Sequence, residues 1–281
     1  MSIAVVTDST AYLTPEERTR YNIRMIPLSV NLEDGSYEEE VEITASEFYR
    51  KARGAKTFPK TTQPPVGKFV QLFEELSKDY DEVISIHLSS GISGTYQGAV
   101  QAGDMVEGIK VHAFDSEISC SPQGYYAVKA AQMAQEGASA QDILDQLEEM
   151  KKSMDAYFIV DDLSHLQRGG RLSAAAALVG GLLQVKPILN FENKVIVPFE
   201  KIRTKKKALR RVEELLAKEA AKYDQLQATI IHANCESEAK EWMAQLSSAY
   251  PNVHFNISYF GPVIGTHLGE GALGLGWVKV D

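Results

Sequence analysis

Hydroxyl groups and glycines concentrate in one run, Ser89-Ser90-Gly91-Ile92-Ser93-Gly94-Thr95-Tyr96. An apolar run, Val83-Ile84-Ser85-Ile86-His87-Leu88, leads into it, and a small-residue stretch, Gln97-Gly98-Ala99-Val100-Gln101-Ala102, leads out. That order predicts a buried strand, a loop and the start of a helix. Such a junction aims free N–H groups and the positive end of a helix dipole at one spot. Serine and threonine hydroxyls add donors. A small anionic head group is the natural guest.

The other polar residues that could join it are Asp8, Ser9, Thr10, Thr61, Thr62, Arg171, Arg203 and His267. No strong general base stands beside an obvious nucleophile. Ser93 and His267 could form a hydrolase pair, but no orienting carboxylate is evident. Ser93 reads equally well as a helix cap, and His267 as a surface-loop histidine. Two classes therefore stay open on the residues alone: a serine-dependent esterase or acyl transferase, and a binding module for a small anion. There is no G-x-x-x-x-G-K-[ST] phosphate loop, no H-E-x-x-H pair and no G-x-S-x-G elbow. Gly269-Glu270-Gly271-Ala272-Leu273-Gly274 matches G-x-G-x-x-G in letters, but too little chain follows to build a βαβ unit.

Composition narrows the partners. The 281 residues carry 29 Lys and Arg against 38 Asp and Glu, a net charge of -9, which argues against nucleic acid. The basic run from Lys201 to Arg211 is the local exception; it reads as a solvated helix face or as a docking patch for an acidic partner or a phosphate. Cys120 and Cys235 belong to no C-x-x-C pair, so neither a disulfide framework nor a metal site is expected. No signal-like segment opens the chain and no apolar run approaches the roughly 18 residues of a membrane span, so a cytoplasmic location is expected.

The elements that must position the polar groups follow from periodicity and capping. Strands are expected at Ile3–Thr7, Ile23–Val30, 83–88 and Val111–Phe114. Thr14-Pro15-Glu16-Glu17 and Thr44-Ala45-Ser46-Glu47 open helices as capping boxes. Phe58 to Pro65 reads as a rigid extended connection. Phe69, Leu72, Phe73 and Leu76 mark an amphipathic helix, and further helices are expected at about 122–136 and 140–153. This regular βα alternation predicts a parallel, helix-covered sheet over residues 1–155. Residues 156–281 differ: a strand at Ala156–Val160, a hairpin of Val185–Phe191 and Lys194–Phe199 turning at Glu192-Asn193, a helix at 204–221, strands at Ala228–His232 and Val253–Tyr259 around a helix near 237–248, and a glycine-rich end with a short strand at Trp277–Val280. That mixture predicts a mixed sheet. Leu172–Leu183 carries no charge and reads as a buried helix or as the wall of a long apolar cavity.

Several of these runs, taken in order, resemble one family. They are Val6-Thr7-Asp8-Ser9-Thr10, Pro59-Lys60-Thr61-Thr62-Gln63-Pro64, Leu88 to Tyr96, Arg168-Gly169-Gly170-Arg171-Leu172, Lys186-Pro187-Ile188-Leu189 and Gly265-Thr266-His267-Leu268-Gly269. Together they resemble the DegV family over nearly the whole chain. The resemblance implies an α/β protein of two domains, an N-terminal three-layer α/β/α unit with a parallel sheet and a C-terminal two-layer α/β unit with a mixed sheet. One long-chain fatty acid is then held between them. It also implies a lipid-binding subunit of bacterial fatty acid kinase with no catalytic residues, metal or cofactor of its own. A separate kinase subunit supplies ATP and converts the bound carboxylate to an acyl phosphate for phospholipid synthesis, and a transient membrane-surface contact is compatible with that role. Carried over by position, Thr61 and Ser93 hydrogen-bond the carboxylate, Thr62 and His267 lie close to it, and Arg171 and Arg203 stand at the pocket mouth, for kinase docking or for the phosphoryl group. Thr62 stands where the family more often has serine and keeps the hydroxyl. The 115–124 segment is less glycine-rich than the family pattern.

Overall fold

The computed structural model describes residues 2–172 and 186–280. The first half builds the expected parallel sheet. β1 (Ile3–Asp8), β2 (Ile23–Ile26), β6 (Glu82–His87) and β7 (Lys110–Asp115) lie in the order β2-β1-β6-β7, all parallel. Alternating side chains go to opposite faces. Val5, Ile84, Ile86 and Phe114 pack under α5 (Ser121–Gln135) and α6 (Ala140–Lys151), meeting Tyr126, Ile143 and Leu147. Ala4, Val6 and Val83 face α3 (Val66–Leu76) and α4 (Thr95–Gly103), meeting Phe69, Phe73, Ala99 and Ala102. Helices thus cover both faces. Both threonine capping boxes form, opening α1 (Pro15–Tyr21) and α2 (Ala45–Gly54).

Two expectations in this half are corrected. The run Ile23–Val30 is not one strand. Pro27 has no N–H to continue the ladder, so the chain leaves the parallel sheet after Ile26 and restarts as β3 (Ser29–Leu32) in a second sheet. That sheet has the order β4-β3-β5, with β4 (Gly35–Glu38) and β5 (Lys60–Thr62). The connection from Phe58 to Pro65 therefore contains a strand, whose Thr61 and Thr62 pair with Val30 and Ser29.

The second half is a six-stranded mixed sheet of order β10-β9-β8-β13-β11-β12. Its strands are β8 (Asp155–Ile159), β9 (Lys186–Glu192), β10 (Val195–Ile202), β11 (Leu226–His232), β12 (Val253–Tyr259) and β13 (Leu273–Lys279). Only β11 and β12 pair in parallel. One face packs Tyr157, Ile159, Ile230, Leu275 and Trp277 against α8 (Lys205–Ala220) and α9 (Glu236–Ala249). The other face, with Phe158, Leu189, Ile196 and Ile231, turns toward the first half. We propose the division between the halves at 155/156, at the first residue of β8, just after the chain leaves α6.

The hairpin turns one residue later than expected. Asn193 and Lys194 both have positive φ (49 and 72), and Val195 pairs with Glu192, the pattern of a tight two-residue turn. The glycine-rich end holds more structure than expected: α10 (Pro262–Leu268), and then β13 in the middle of the sheet rather than a short strand at 277–280. Glycine disfavours strands intrinsically. Here Gly274 and Gly276 lie on the inner face, where bulk is excluded: an added Cβ at Gly276 would stand 2.5 Å from Pro122 Cγ at the start of α5. The Gly269–Gly274 match cradles no phosphate; it is the end of α10, a turn and the start of β13. Apart from Leu172, which bridges to Ile196, the apolar stretch Leu172–Leu183 lies outside the described residues.

Candidate functional site

A cavity of about 280 Å³ lies between the inner face of the mixed sheet and the carboxyl ends of the parallel strands. Its lining is mostly aliphatic and aromatic, including Leu28, Leu88, Ile92, Phe158, Phe191, Ile196, Phe260 and Ile264. Polar side chains gather where Thr61, Thr62, Gln63, Ser93, Arg171 and His267 meet. Five of the six expected site residues are therefore brought together. Arg203 is not: it is exposed after β10 and is not among the described lining residues.

The polar groups are delivered by several separate elements. β5 carries Thr61 and Thr62, and α10 carries His267. Thr61 Oγ1 lies 2.8 Å from His267 Nε2. Ser93 precedes α4, where its Oγ accepts the Thr95 N–H at 3.3 Å and lies 2.9 Å from Thr95 Oγ1. The cap position itself falls on Gly94, so Ser93 is not the cap of α4 as expected; it reaches the first helical N–H from one residue earlier and also lines the cavity. Arg171 donates through Nε to Ile92 O and through Nη1 to Gly169 O.

The loop bearing Ser93 is pinned from below. Asp8 Oδ2 accepts the Leu88 N–H at 3.0 Å, Asp115 accepts from Ser90, and Ser89 Oγ donates to Lys194 O at 2.7 Å. The Asn193-Lys194 turn presses so closely that a Cβ on Gly91 would lie 2.2 Å from Lys194 O; only glycine leaves this contact intact. Asp8, Ser9 and Thr10 serve the scaffold rather than the cavity. Asp8 is also bonded by Thr10 and by His87, and Ser9 donates to Glu39.

Electrostatics favour an anion. Burial, then the charges of Arg171 and His165, push the His267 pKa down to about 3, so its imidazole is neutral near pH 7. Burial also lowers the Arg171 pKa. No carboxylate pairs with Arg171 among the described residues, and residues 173–185 contain no Asp or Glu. A half-buried cation without a counter-charge among the described residues, hydroxyl donors and a neutral imidazole can receive one carboxylate-sized anion.

Among the described residues they are not arranged as a hydrolase pair: Ser93 is bonded to Thr95 and His267 to Thr61, and the buried His267 Nδ1 has no described hydrogen-bond partner to orient the ring. A Ser-His-Asp chain does exist elsewhere: Ser85 Oγ is 2.7 Å from His87 Nε2, and His87 Nδ1 is 3.1 Å from Asp8 Oδ2. All three side chains are 0% exposed and none lines the cavity, so the chain is a structural tie. Among the described residues there is no cluster of ligands for a metal ion, and no helix is long and apolar enough to cross a membrane.

Sequence reasoning missed Gln63, Ser119 and Cys120 as lining residues. Gln63 could have been found from its place directly after Thr61 and Thr62, just beyond the end of β5. Cys120 shows no signal in sequence; it has φ 65 and ψ -155, a region that favours glycine.

Fold and site together define an α/β protein whose apolar cavity ends in an anion receptor. The DegV family model, described as an uncharacterised protein family, matches residues 2–280, and the chain belongs to the DegV family. It is 58% identical over 278 residues to Protein DegV of Bacillus subtilis, covering 99% of each chain. It is 54% identical to a DegV domain-containing protein of Listeria monocytogenes, covering 98% of each. The crystal structure of DegV from Bacillus subtilis, described as a fatty acid binding protein, superposes with a TM-score of 0.96 at 57% identity over 100% of both chains. A DegV family protein from Thermus thermophilus, described by its fatty acid binding, gives 0.92 at 30% identity, again over 100% of both.

Proposed function

We propose that this chain binds one long-chain fatty acid, with the tail in the cavity and the carboxylate among Thr61, Thr62, Ser93, Arg171 and His267. It then presents that carboxylate to a separate ATP-dependent kinase subunit, which forms the acyl phosphate. The observation that carries the reading is Arg171, a half-buried cation without a carboxylate partner among the described residues, at the polar end of a mostly apolar cavity. The fatty-acid binding described for similar structures supports it. About 15 buried methylenes at roughly 0.8 kcal/mol each supply on the order of 12 kcal/mol before binding costs, so the tail sets affinity and the polar end sets orientation.

The chain's own residues bind, orient and keep the tail dry; a bound carboxylate is already ionised near pH 7 and needs no general base, and His267, bonded to Thr61 and with its pKa pushed down to about 3, is too weakly basic to act as one. Phosphorylation therefore falls to the partner. Protein loaded with palmitate, mixed with ATP and a fatty acid kinase subunit, should yield acyl phosphate trapped by hydroxylamine, and Ser93→Ala should reduce that yield. Tight palmitate binding with no acyl phosphate formed would overturn the presenting role and leave carriage standing.

A further inference from the structure

Behind the acyl cavity lies a second cavity of about 140 Å³, and the two share Phe191 and Ala156. The first runs along β8 and β13 away from His267. Leu273 pairs with Ile159 near α10, Gly274 with Phe158 farther in, and Gly276 with Ala156 at the far end. Gly274 leaves the passage open, since an added Cβ there would stand 3.0 Å from Phe260 Cζ and 3.3 Å from Phe158 Cβ. The second cavity has a different character. Glu117, Lys151, Asp155 and Lys194 line it. A methyl end that crossed into it would meet charged groups and their water.

Among the described residues the two cavities share one methyl group and one ring. Ala156 offers only its Cβ, so the Phe191 ring provides most of the partition. Its ring lies against Phe158, centroids 6.1 Å apart. Its position on β9 is fixed by pairing with Ile196 and by the hairpin turn just beyond, where Lys194 Nζ is 3.0 Å from Asp115.

We infer that Phe191 is the chain-length gauge of this protein: its ring closes the distal end of the acyl cavity and sets the longest fatty acid accepted without distortion. The inference rests on the fatty-acid reading above. Shortening Phe191 vacates the apolar space of its ring, beside Phe158, for additional methylenes, whereas enlarging it moves the end wall toward the carboxylate.

The test offers an equimolar mixture of myristic, palmitic, stearic and arachidic acids to delipidated protein and reads the bound distribution by native mass spectrometry. Phe191→Ala should shift the distribution toward longer acids, and Phe191→Trp toward shorter ones. Gain or loss of one or two buried methylenes changes the long-to-short preference by roughly tenfold. Unchanged distributions in both variants, with the wild type still loaded, overturn the gauge and leave fatty-acid binding intact. A wild type that takes none of the four acids overturns the fatty-acid reading itself. If Phe191→Ala does not fold or load, Phe191→Leu and Phe191→Trp decide the question by the same opposed shifts.

Discussion

Thr61 Oγ1 and His267 Nε2 stand 2.8 Å apart although 206 positions separate them in the chain. The bond joins β5, from the small sheet of the first half, to α10, from the second half. It sets the polar end of the cavity where the halves meet. Thr61→Val removes the partner and leaves the imidazole Nε2 without its described hydrogen bond in a buried place. An unmade buried hydrogen bond costs about 1–3 kcal/mol, so melting temperature should fall, and affinity for palmitate should fall with it. Calorimetry on empty and loaded protein reads both. An unchanged melting temperature with unchanged affinity would remove this bond from the account.

His267 also predicts an acid-side slope in stability. Its pKa is lowered from 6.5 to about 3 in the folded chain, chiefly by burial. Between those values the unfolded chain binds a proton that the folded chain refuses. Stability therefore falls as pH drops through this window. His267→Gln should flatten the slope in denaturant titrations of the ligand-free protein run from pH 7 to pH 4. Parallel slopes in the two proteins would contradict the buried, neutral imidazole.

Glu39 predicts the opposite sign. It is 0% exposed and accepts from Ser9 Oγ, Tyr12 Oη and the Val263 N–H that begins α10. Burial outweighs these donors and raises its pKa from 4.5 to about 8. The folded chain keeps a proton that the unfolded chain releases, so this contribution is full below pH 4.5 and is lost as pH rises through about 8. Glu39→Gln keeps an acceptor and cannot ionise. Its stability relative to wild type should improve as pH rises from 6 to 9 in chemical denaturation. A constant difference across that range would show that Glu39 is ionised throughout.

Arg171 is the strongest single test of head-group recognition by mutation. A hydrogen bond to a charged group contributes about 1.5–3 kcal/mol, so Arg171→Gln should weaken palmitate binding by roughly ten- to a hundredfold. Binding of the methyl ester, which carries no charge, should change far less. Equal losses for acid and ester would mean that Arg171 acts only by shaping the cavity.

Gly91→Ala tests the closeness of the two halves. Its Cβ would collide with Lys194 O, a backbone atom that cannot swing aside. Overpacking of this kind costs about 1–3 kcal/mol, and the loop carrying Ser93 should be displaced. Reduced stability together with weaker palmitate binding is expected; wild-type values of both would show that the Asn193-Lys194 turn yields freely.

Much of this was legible in the residues because local rules and tertiary demands agreed. Alternation in β1 and β6, the two threonine capping boxes and the hydroxyl loop before α4 all satisfy strong local preferences. The parts that were not legible are those where a tertiary demand overrides them. β13 is a central strand despite its glycines, because Pro122, Phe158 and Phe260 occupy the space where its side chains would stand. β5 forms in a proline-bounded stretch because β3 offers an open edge. Ile23–Val30 divides because Pro27 interrupts an apolar run that otherwise reads as one strand. At the site, Thr61, Thr62, Ser93, Arg171 and His267 line one cavity. Arg203 does not reach the cavity, and the distal wall at Phe191 depends on the packing of β8 and β9, which no local pattern reports.

The central claim is that the cavity holds a fatty acid noncovalently. Native and denaturing mass spectrometry of the protein as purified tests it most directly. A long-chain fatty acid mass carried in the native spectrum and absent from the denatured chain is the predicted result. A native mass equal to the bare chain, unchanged after palmitate is added, would contradict it.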